Sequence, residues 1–545
     1  MKNITKVFFL SVLLFCSFSS NASHFAGGEV EYACIGPRTW KIKLTLYRDC
    51  SGCLTCYANA TIGSRLIADM TARPNTSLGL NPVGCSATPS QVNVPMFLIK
   101  VEDTNKNLID VCGNSGKNGC NNLGTVTPGS YTPSIEKWIF EGTLNLSASS
   151  LNNTTCAFWD IFYMSNARNS GMANIPAEDF TIGATINIFN QSQNPCANNS
   201  PMFKNESIIL ACSNQEYIFN LGAVDPDNDS LTYEVGNAWR NAPWTSATYN
   251  APYSANYPFP LYSSKPPHSN FPQPNGPYII IDSINGDIGF NPANSSSSFI
   301  YGSLCVFVKQ WTYNSNGTRV LAGITMRDMQ IYTKNCPINN PPRFVTIPTL
   351  PNGNPKYNYE VNAGDQICFT VTAKDTDAFP AIPRFDTTRI SWNEGIVRPA
   401  NELTFAPAYA VGNGLQRPRE DSRQFCWQTK ASDYRSLPYT FAVNAVDNNC
   451  PYIGTISKSF TIKVNPERKN AKHLLQKDYQ KCGTVNYLVY KDTPYVWLNS
   501  ATLQIANKPN DKNFIYGSRN ITPININPPG NQLDTINQPR LMFAD

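Results

Sequence analysis

Trp40-Lys41-Ile42-Lys43-Leu44-Thr45-Leu46-Tyr47 places apolar and polar side chains at alternate positions. In an extended chain, successive side chains point to opposite faces. Trp40, Ile42, Leu44 and Leu46 therefore share one face, and Lys41, Lys43 and Thr45 the other. Similar runs recur over 367–373, 439–446 and 459–464, separated by clusters of Asn, Gly, Pro and Ser that end strands and make turns. The 41 prolines, 32 glycines, 26 tyrosines and 28 phenylalanines suit short strands joined by turns and are poor material for helices. A 3.6-residue period is suggested only at Arg468–Gln480, which is short and charged. The chain reads as all-β.

At 545 residues it is too long for one core, so two to four domains are expected. Lys+Arg number 43 against Asp+Glu 38, and a net charge of +5 over this length does not suit a protein that tracks phosphates, so no nucleic-acid partner is expected. The first 22 residues read as a signal peptide. Lys2 and Lys6 precede an apolar run from Val7 to Phe18, and Ser20-Asn21-Ala22 offers small residues for cleavage before Ser23. Phe15 is too bulky for a lipobox ahead of Cys16. No later segment reaches the roughly 18 apolar residues that span a bilayer. The expectation is export, to the medium or the outer cell surface.

Apart from Cys16, eight cysteines fall between Cys34 and Cys156, four between Cys196 and Cys336, and four between Cys368 and Cys482. Even groups in an oxidising compartment suit modules stapled internally by disulfides. Cys112 and Cys120 enclose a Gly/Asn/Lys loop and are expected to pair. Cys368 and Cys426 lie in two alternating runs, which makes them a second expected pair. Cys50, Cys53 and Cys56 have cluster-like spacing, but Ala60 stands where a fourth ligand would be, so disulfides are favoured. Pro/Asn seams divide the chain into 23–195, 196–338 and 339–466, with 467–545 as an incomplete β module and an Asn/Pro-rich tail.

Three stretches carry candidate sites. Asp225-Pro226-Asp227-Asn228-Asp229 sets three carboxylates at alternate positions, an oxygen-ligand pattern for Ca²⁺, or a turn whose Asx side chains cap their own backbone. Asp375 and Asp377 form a weaker version after a strand in the third region. Between Trp239 and Tyr278, Trp239, Trp244, Tyr249, Tyr253, Tyr257, Phe259, Tyr262 and Phe271 form an aromatic segment. Its rings either pack on their own sandwich or stack on sugar rings, with Trp239, Trp244, Tyr249 and Tyr253 as ligand contacts. Catalysis finds little support. His24, His268 and His473 are scattered, and no nucleophile elbow, zinc-protease motif or phosphate loop is present.

Ala223–Tyr233 followed by Ile281–Ile288 resembles the cadherin-like and polycystic-kidney-disease-type (PKD) β-sandwich repeats of bacterial surface proteins. Ser23–Val30 with Leu46–Cys50, and later Phe425-Cys426-Trp427 and Ala445–Pro451, resemble large secreted surface proteins of gliding Bacteroidetes. Those proteins usually end in a gliding-motility-associated secretion domain, which the tail here does not match. The resemblance implies tandem immunoglobulin-like or cadherin-like sandwiches and an adhesin-like or structural protein, not an enzyme, that supports gliding or attachment. Its partner would be an unidentified surface protein or glycan. The alternatives are a set of carbohydrate-binding modules using the loop 239–278 and, less favoured, an exported hydrolase.

Overall fold

A computed structural model describes residues 25–49, 76–83, 92–103, 135–146, 158–165, 168–188, 198–213, 215, 217–262, 276–294, 298–313, 318–336, 340–375, 387–393, 404–407, 420–435, 437–449 and 453–467, and strands at 475–481, 484–489, 501–506 and 515–521. The structure is all-β; the helical turn among the described residues is three residues of 3-10 helix, Ala431–Asp433. The chain divides into two compact units: residues 1–357, 369–425 and 440–461, and residues 358–368, 426–439 and 462–545.

The first unit begins with β1 (Phe25–Gly36), β2 (Thr39–Asp49), β3 (Thr76–Val83), β4 (Val92–Asp103), β5 (Ile135–Asn145), β6 (Phe158–Ser165) and β7 (Phe180–Asn187). They join in the order β1-β2-β5-β4-β3-β6-β7. The alternating octet lies in β2, where Trp40, Ile42, Leu44 and Leu46 are buried and Lys41 is exposed. Next come β8 (Met202–Phe203), β9 (Ile208–Cys212), β10 (Tyr217–Asn220), β11 (Ala223–Val224), β12 (Ser230–Gly236), β13 (Ile280–Ile281), β14 (Asp287–Phe290), β15 (Ile300–Tyr313) and β16 (Arg319–Lys334).

The long strand β16 organises this unit. One edge pairs with β15 along nearly its whole length. The other meets β7 at 323–325, β1 at 327–328 and β9, in parallel, at 330–334. The path β1-β2-β5-β4-β3-β6-β7-β16 thus returns to β1. Closure removes sheet edges, and a ring of this size is filled by its own side chains. Trp40, Phe140, Trp159 and Ile182 lie in that core. Each such burial contributes about 1.5–3 kcal/mol of transfer free energy.

β15 has a core on each side. Leu304, Val306 and Val308 pack with Phe219, Phe259 and Phe290 in one cluster. Cys305 and Phe307 pack with the ring's interior residues in the other. A strand buried on both faces reads as a continuous apolar run rather than an alternating one, and Leu304-Cys305-Val306-Phe307-Val308 is such a run.

The boundary expected at 195/196 is crossed by this sheet. The Asn/Ser-rich seam read as a linker is stitched onto β1. Ser200 N–H donates to the Tyr32 carbonyl (2.8 Å), Tyr32 N–H to Ser200 Oγ (2.8 Å), and Cys34 N–H to Asn199 Oδ1 (2.8 Å). Asn198 and Ser200 are buried. Asn and Ser side chains stand in for backbone partners, so a composition that marks a loop here completes a strand edge.

In the third region, β17 (Arg343–Ile347), β18 (Asn358–Asn362), β19 (Gln366–Lys374), β20 (Arg389–Trp392), β21 (Thr404–Pro407), β22 (Glu420–Gln428), β23 (Tyr439–Val446) and β24 (Thr455–Asn465) form two sheets, ordered β17-β19-β22-β21 and β18-β24-β23-β20. Within the first unit, Phe369 stacks on Phe425 (5.5 Å between ring centres) and on Phe460 (6.0 Å). Within the second, Trp427 meets Tyr439 edge-on at 5.1 Å, and the Thr429 hydroxyl donates to the carbonyls of Asn362 (3.0 Å) and Asp365 (2.7 Å). Two hairpins follow, β25 (Leu475–Lys481) with β26 (Thr484–Val489) and β27 (Ala501–Ala506) with β28 (Ile515–Ile521). β25 overlaps the segment with a hint of helical period, and β28 lies in the tail read as Asn/Pro-rich.

Candidate functional site

The acidic stretch folds as a turn ahead of β12. Asp225 Oδ1 accepts from the backbone N–H of Asp227 (2.8 Å) and of Asp229 (3.1 Å), while its Oδ2 accepts from Gln310 Nε2 (2.5 Å). Both Asp227 oxygens accept from Asn199, from its backbone N–H at 2.6 Å and its side-chain amide at 2.8 Å. Burial, then repulsion from Asp225 and Asp227, pushes Asp229 up to about 7, with a hydrogen bond from Thr312 opposing. Burial likewise pushes Asp225 up to about 6, with Gln310 opposing. Both oxygens of Asp225 and both of Asp227 are thus committed to protein donors, and Asp229 accepts from Thr312. Among the described residues no three His, Cys, Asp or Glu side chains gather as a metal-binding group. With their oxygens turned to these donors, the three carboxylates do not converge as a Ca²⁺ cradle. Asp375 is buried directly after β19, and Asp377 lies outside the described residues.

The aromatic segment turns mostly inward. Trp239 is only 3% exposed, so it cannot contact a ligand as expected. It forms an isolated bridge with Thr181, and Gly183 leaves the space in which its ring lies. Tyr249 packs against the same core and accepts a hydrogen bond from Ala238 N–H (3.0 Å). Tyr253 meets Tyr257 at 5.3 Å. Phe259 is fully buried in the second core.

Trp244 behaves differently. It is 48% exposed, although it belongs to an aromatic trio. Its ring stacks on Phe307 (5.6 Å, 14° between planes) and meets Trp239 at 4.8 Å. Its Nε1–H donates to Asp160 Oδ2 at 3.1 Å, and Asp160 also accepts from the Thr185 hydroxyl. Burial pushes the Asp160 carboxyl above its ordinary range, and these two hydrogen bonds oppose that shift. The supporting turn is a small hairpin: Trp239 bridges Ser246, and Arg240 N–H donates to the Thr245 carbonyl (2.8 Å). Arg240 pairs with Glu178 at 3.3 Å, and Glu178 accepts from Thr248 N–H (2.8 Å). Trp244 has φ of 61°, in the left-handed region that Gly and Asn favour. Phe307 fits because β12 ends at Gly236, where a Cβ would fall 2.2 Å from its ring.

Sequence reasoning found Trp244 but missed Asp160, Phe307, Gly183 and Gly236. A signal existed: Asp160 interrupts the otherwise apolar run Phe158–Tyr163.

The structure joins Cys368 to Cys426 and Cys212 to Cys336, with Cα–Cα distances of 4.2 and 5.4 Å. Cys34 is also disulfide-bonded. Full pairing, expected from the even groups, does not hold for Cys305, a buried free thiol facing the ring's core from β15. Cys112, Cys120 and the triplet Cys50, Cys53 and Cys56 lie outside the described residues, as do the leader 1–22 and His24, His268 and His473.

These features define an all-β, disulfide-stapled sandwich protein with an aromatic surface feature mounted on a closed sheet. No protein-family model and no curated protein matches the chain. Among solved structures it is similar to the titin Ig tandem domains A164-A165 (8% identity, 49% of this chain and 98% of that one, TM-score 0.15). It is also similar to human protocadherin-24 EC1-2 (14%, 50% and 99%, TM-score 0.14) and to the protocadherin gammaB4 extracellular domain (12%, 80% and 55%, TM-score 0.17). These likenesses are too slight to carry an argument, and the class rests on the strands, cores and bridges above. Among the described residues, no helix is long and apolar enough to cross a membrane.

Proposed function

We propose that the protein works outside the cytoplasm as an adhesin-like or structural component of the cell surface, binding rather than transforming its partner. The observation that supports this reading is the stapling of the sheets. Cys212 at the end of β9 is tied to Cys336 just beyond β16, and Cys368 in β19 is tied to Cys426 in β22. Such bridges persist in oxidising compartments and hold a scaffold against mechanical and proteolytic opening. Support of gliding or attachment is the finer form of the reading, motivated by the resemblance of Ser23–Val30 and Leu46–Cys50. The test is a strain lacking the chain, compared with its parent for attachment to coated surfaces and spreading on soft agar. Surface labelling of intact cells checks location. Unchanged attachment and spreading, with no label on the protein, would reject the reading.

A second reading, carbohydrate binding, is favoured by one observation: Trp244 stays half-exposed in a segment whose other tryptophan is buried.

A further inference from the structure

The inference rests on the carbohydrate reading and narrows it from an aromatic loop to one ring. Trp244 combines two features that packing alone does not require. An aromatic residue occupies a left-handed position at the end of a hairpin turn, where Gly or Asn would sit without strain. Nearly half of its surface is also left in water. A ring needed only to cap Phe307 and Trp239 would gain by sinking further onto them, and a phenyl ring would suffice.

Instead the indole is fixed from below. Phe307 supports it by stacking, and Trp239 meets it at an angle. The hydrogen bond to Asp160 sets its rotation about the ring axis and requires an indole N–H, which only Trp supplies. Asp160 is itself buried and held by Thr185. The polar groups of the same hairpin are already committed: Arg240 binds Glu178 and the Ser246 carbonyl, and Glu178 binds Thr248 N–H.

We infer that the outward surface of Trp244 is a stacking platform for a single neutral pyranose ring. An electron-rich aromatic face attracts polarised C–H bonds, and a pyranose of β-gluco configuration presents those at C1, C3 and C5 on one side. A neutral sugar is specified because the platform's own polar anchor is a carboxyl group, and the two nearby cations are each paired, Arg240 with Glu178 and the buried Arg168 with Asp328. An anionic polysaccharide finds no unpaired cation on this hairpin. Orientation is fixed before binding, so no side-chain ordering offsets the stacking energy.

The test is native affinity electrophoresis of the full chain through gels containing a β-1,4-glucan, a β-1,3-glucan, xylan or polygalacturonate. Wild type is expected to be retarded by at least one neutral β-linked polymer and not by polygalacturonate. Trp244→Ala should weaken that retardation about tenfold or more, a loss of one stacking contact of about 1.4 kcal/mol. Asp160→Ala, which frees the indole without touching the sugar, should weaken it to a smaller extent. Tyr262→Ala removes another exposed ring and should leave it unchanged. Trp244→Phe keeps the stack on Phe307, so its melting temperature guards against loss through unfolding. It should still melt cooperatively, with only the modest drop expected from losing the Asp160 hydrogen bond, and bind more weakly. Retardation that survives Trp244→Ala would overturn the platform while leaving carbohydrate binding standing. Retardation by none of the neutral polymers would overturn both, and retardation by polygalacturonate alone would overturn the neutral-sugar assignment.

Discussion

Three carboxylates within five residues need partners that relieve their repulsion; at Asp225 and Asp227 the structure supplies protein donors to every oxygen, and at Asp229 one from Thr312. The third, Asp229, is held up to about 7, and Asp225 up to about 6, first by burial. Both folded values lie above the unfolded carboxylate value near 3.9. The native state therefore keeps these protons where the unfolded chain has released them. This contribution is fully present below about pH 4 and is lost as pH rises through 6 and 7. Asp229→Asn should remove the loss, raising stability at pH 7.5 by on the order of 2 kcal/mol and converging with wild type near pH 4. Melting curves at both pH values, with millimolar Ca²⁺ and with chelator, check it. A variant that melts lower than wild type at pH 7.5, together with a Ca²⁺-dependent rise in wild type, would show the carboxylates serving a cation. The turn was legible in the sequence because Asp-Pro-Asp-Asn-Asp carries its own donors. Asn199 and Gln310, which finish the job from 28 and 85 residues away, left no local trace.

At the scale of elements, β15 and β16 decide most of the outcome. Alternation in β2 gave away an all-β chain because one face of that strand meets a core. β15 and β16 carry no such alternation, since both faces are covered, and their importance was not legible for that reason. β16 also buries Arg327, Asp328 and Gln330. Asp328 binds Arg168 at 2.6 Å and accepts from Ser303 Oγ at 2.7 Å, with Arg168 in turn donating to the Trp239 carbonyl at 3.0 Å. Arg327 faces Glu29 at 3.3 Å and donates to Ser207 Oγ at 2.7 Å. Asp328→Ala leaves the Arg168 guanidinium buried without its counter-ion and should cost about 3–5 kcal/mol. Denaturant melts of the disulfide-intact protein measure this, and a loss under about 1 kcal/mol would mean that water reaches Arg168. Gly236→Ala sets a methyl group against the Phe307 ring. It should cost about 1–3 kcal/mol by overpacking and tilt the platform that Phe307 supports. Polysaccharide retardation should therefore fall together with stability, and an unchanged value of both would contradict the described packing at the end of β12.

At the largest scale, within the first unit, the ring's core and the second core share β15 and β16 as a common wall. The Pro/Asn seam at 194–201 looked like a domain boundary because loop-forming residues and strand-edge-completing residues are the same types, and only the fold tells which role they take. If β15 and β16 serve two cores, residues 25–187 cannot close their sheet without a strand supplied more than a hundred residues later. Folding of the two regions is then one event. The most direct measurement is scanning calorimetry of two oxidised fragments, residues 23–195 and 23–336. The longer fragment should melt in a single cooperative transition, and the shorter should show none, with no near-ultraviolet circular dichroism from the Trp40, Trp138 and Trp159 side chains. A cooperative transition in 23–195 alone, with that near-ultraviolet signal intact, would contradict the shared wall and restore two independent domains.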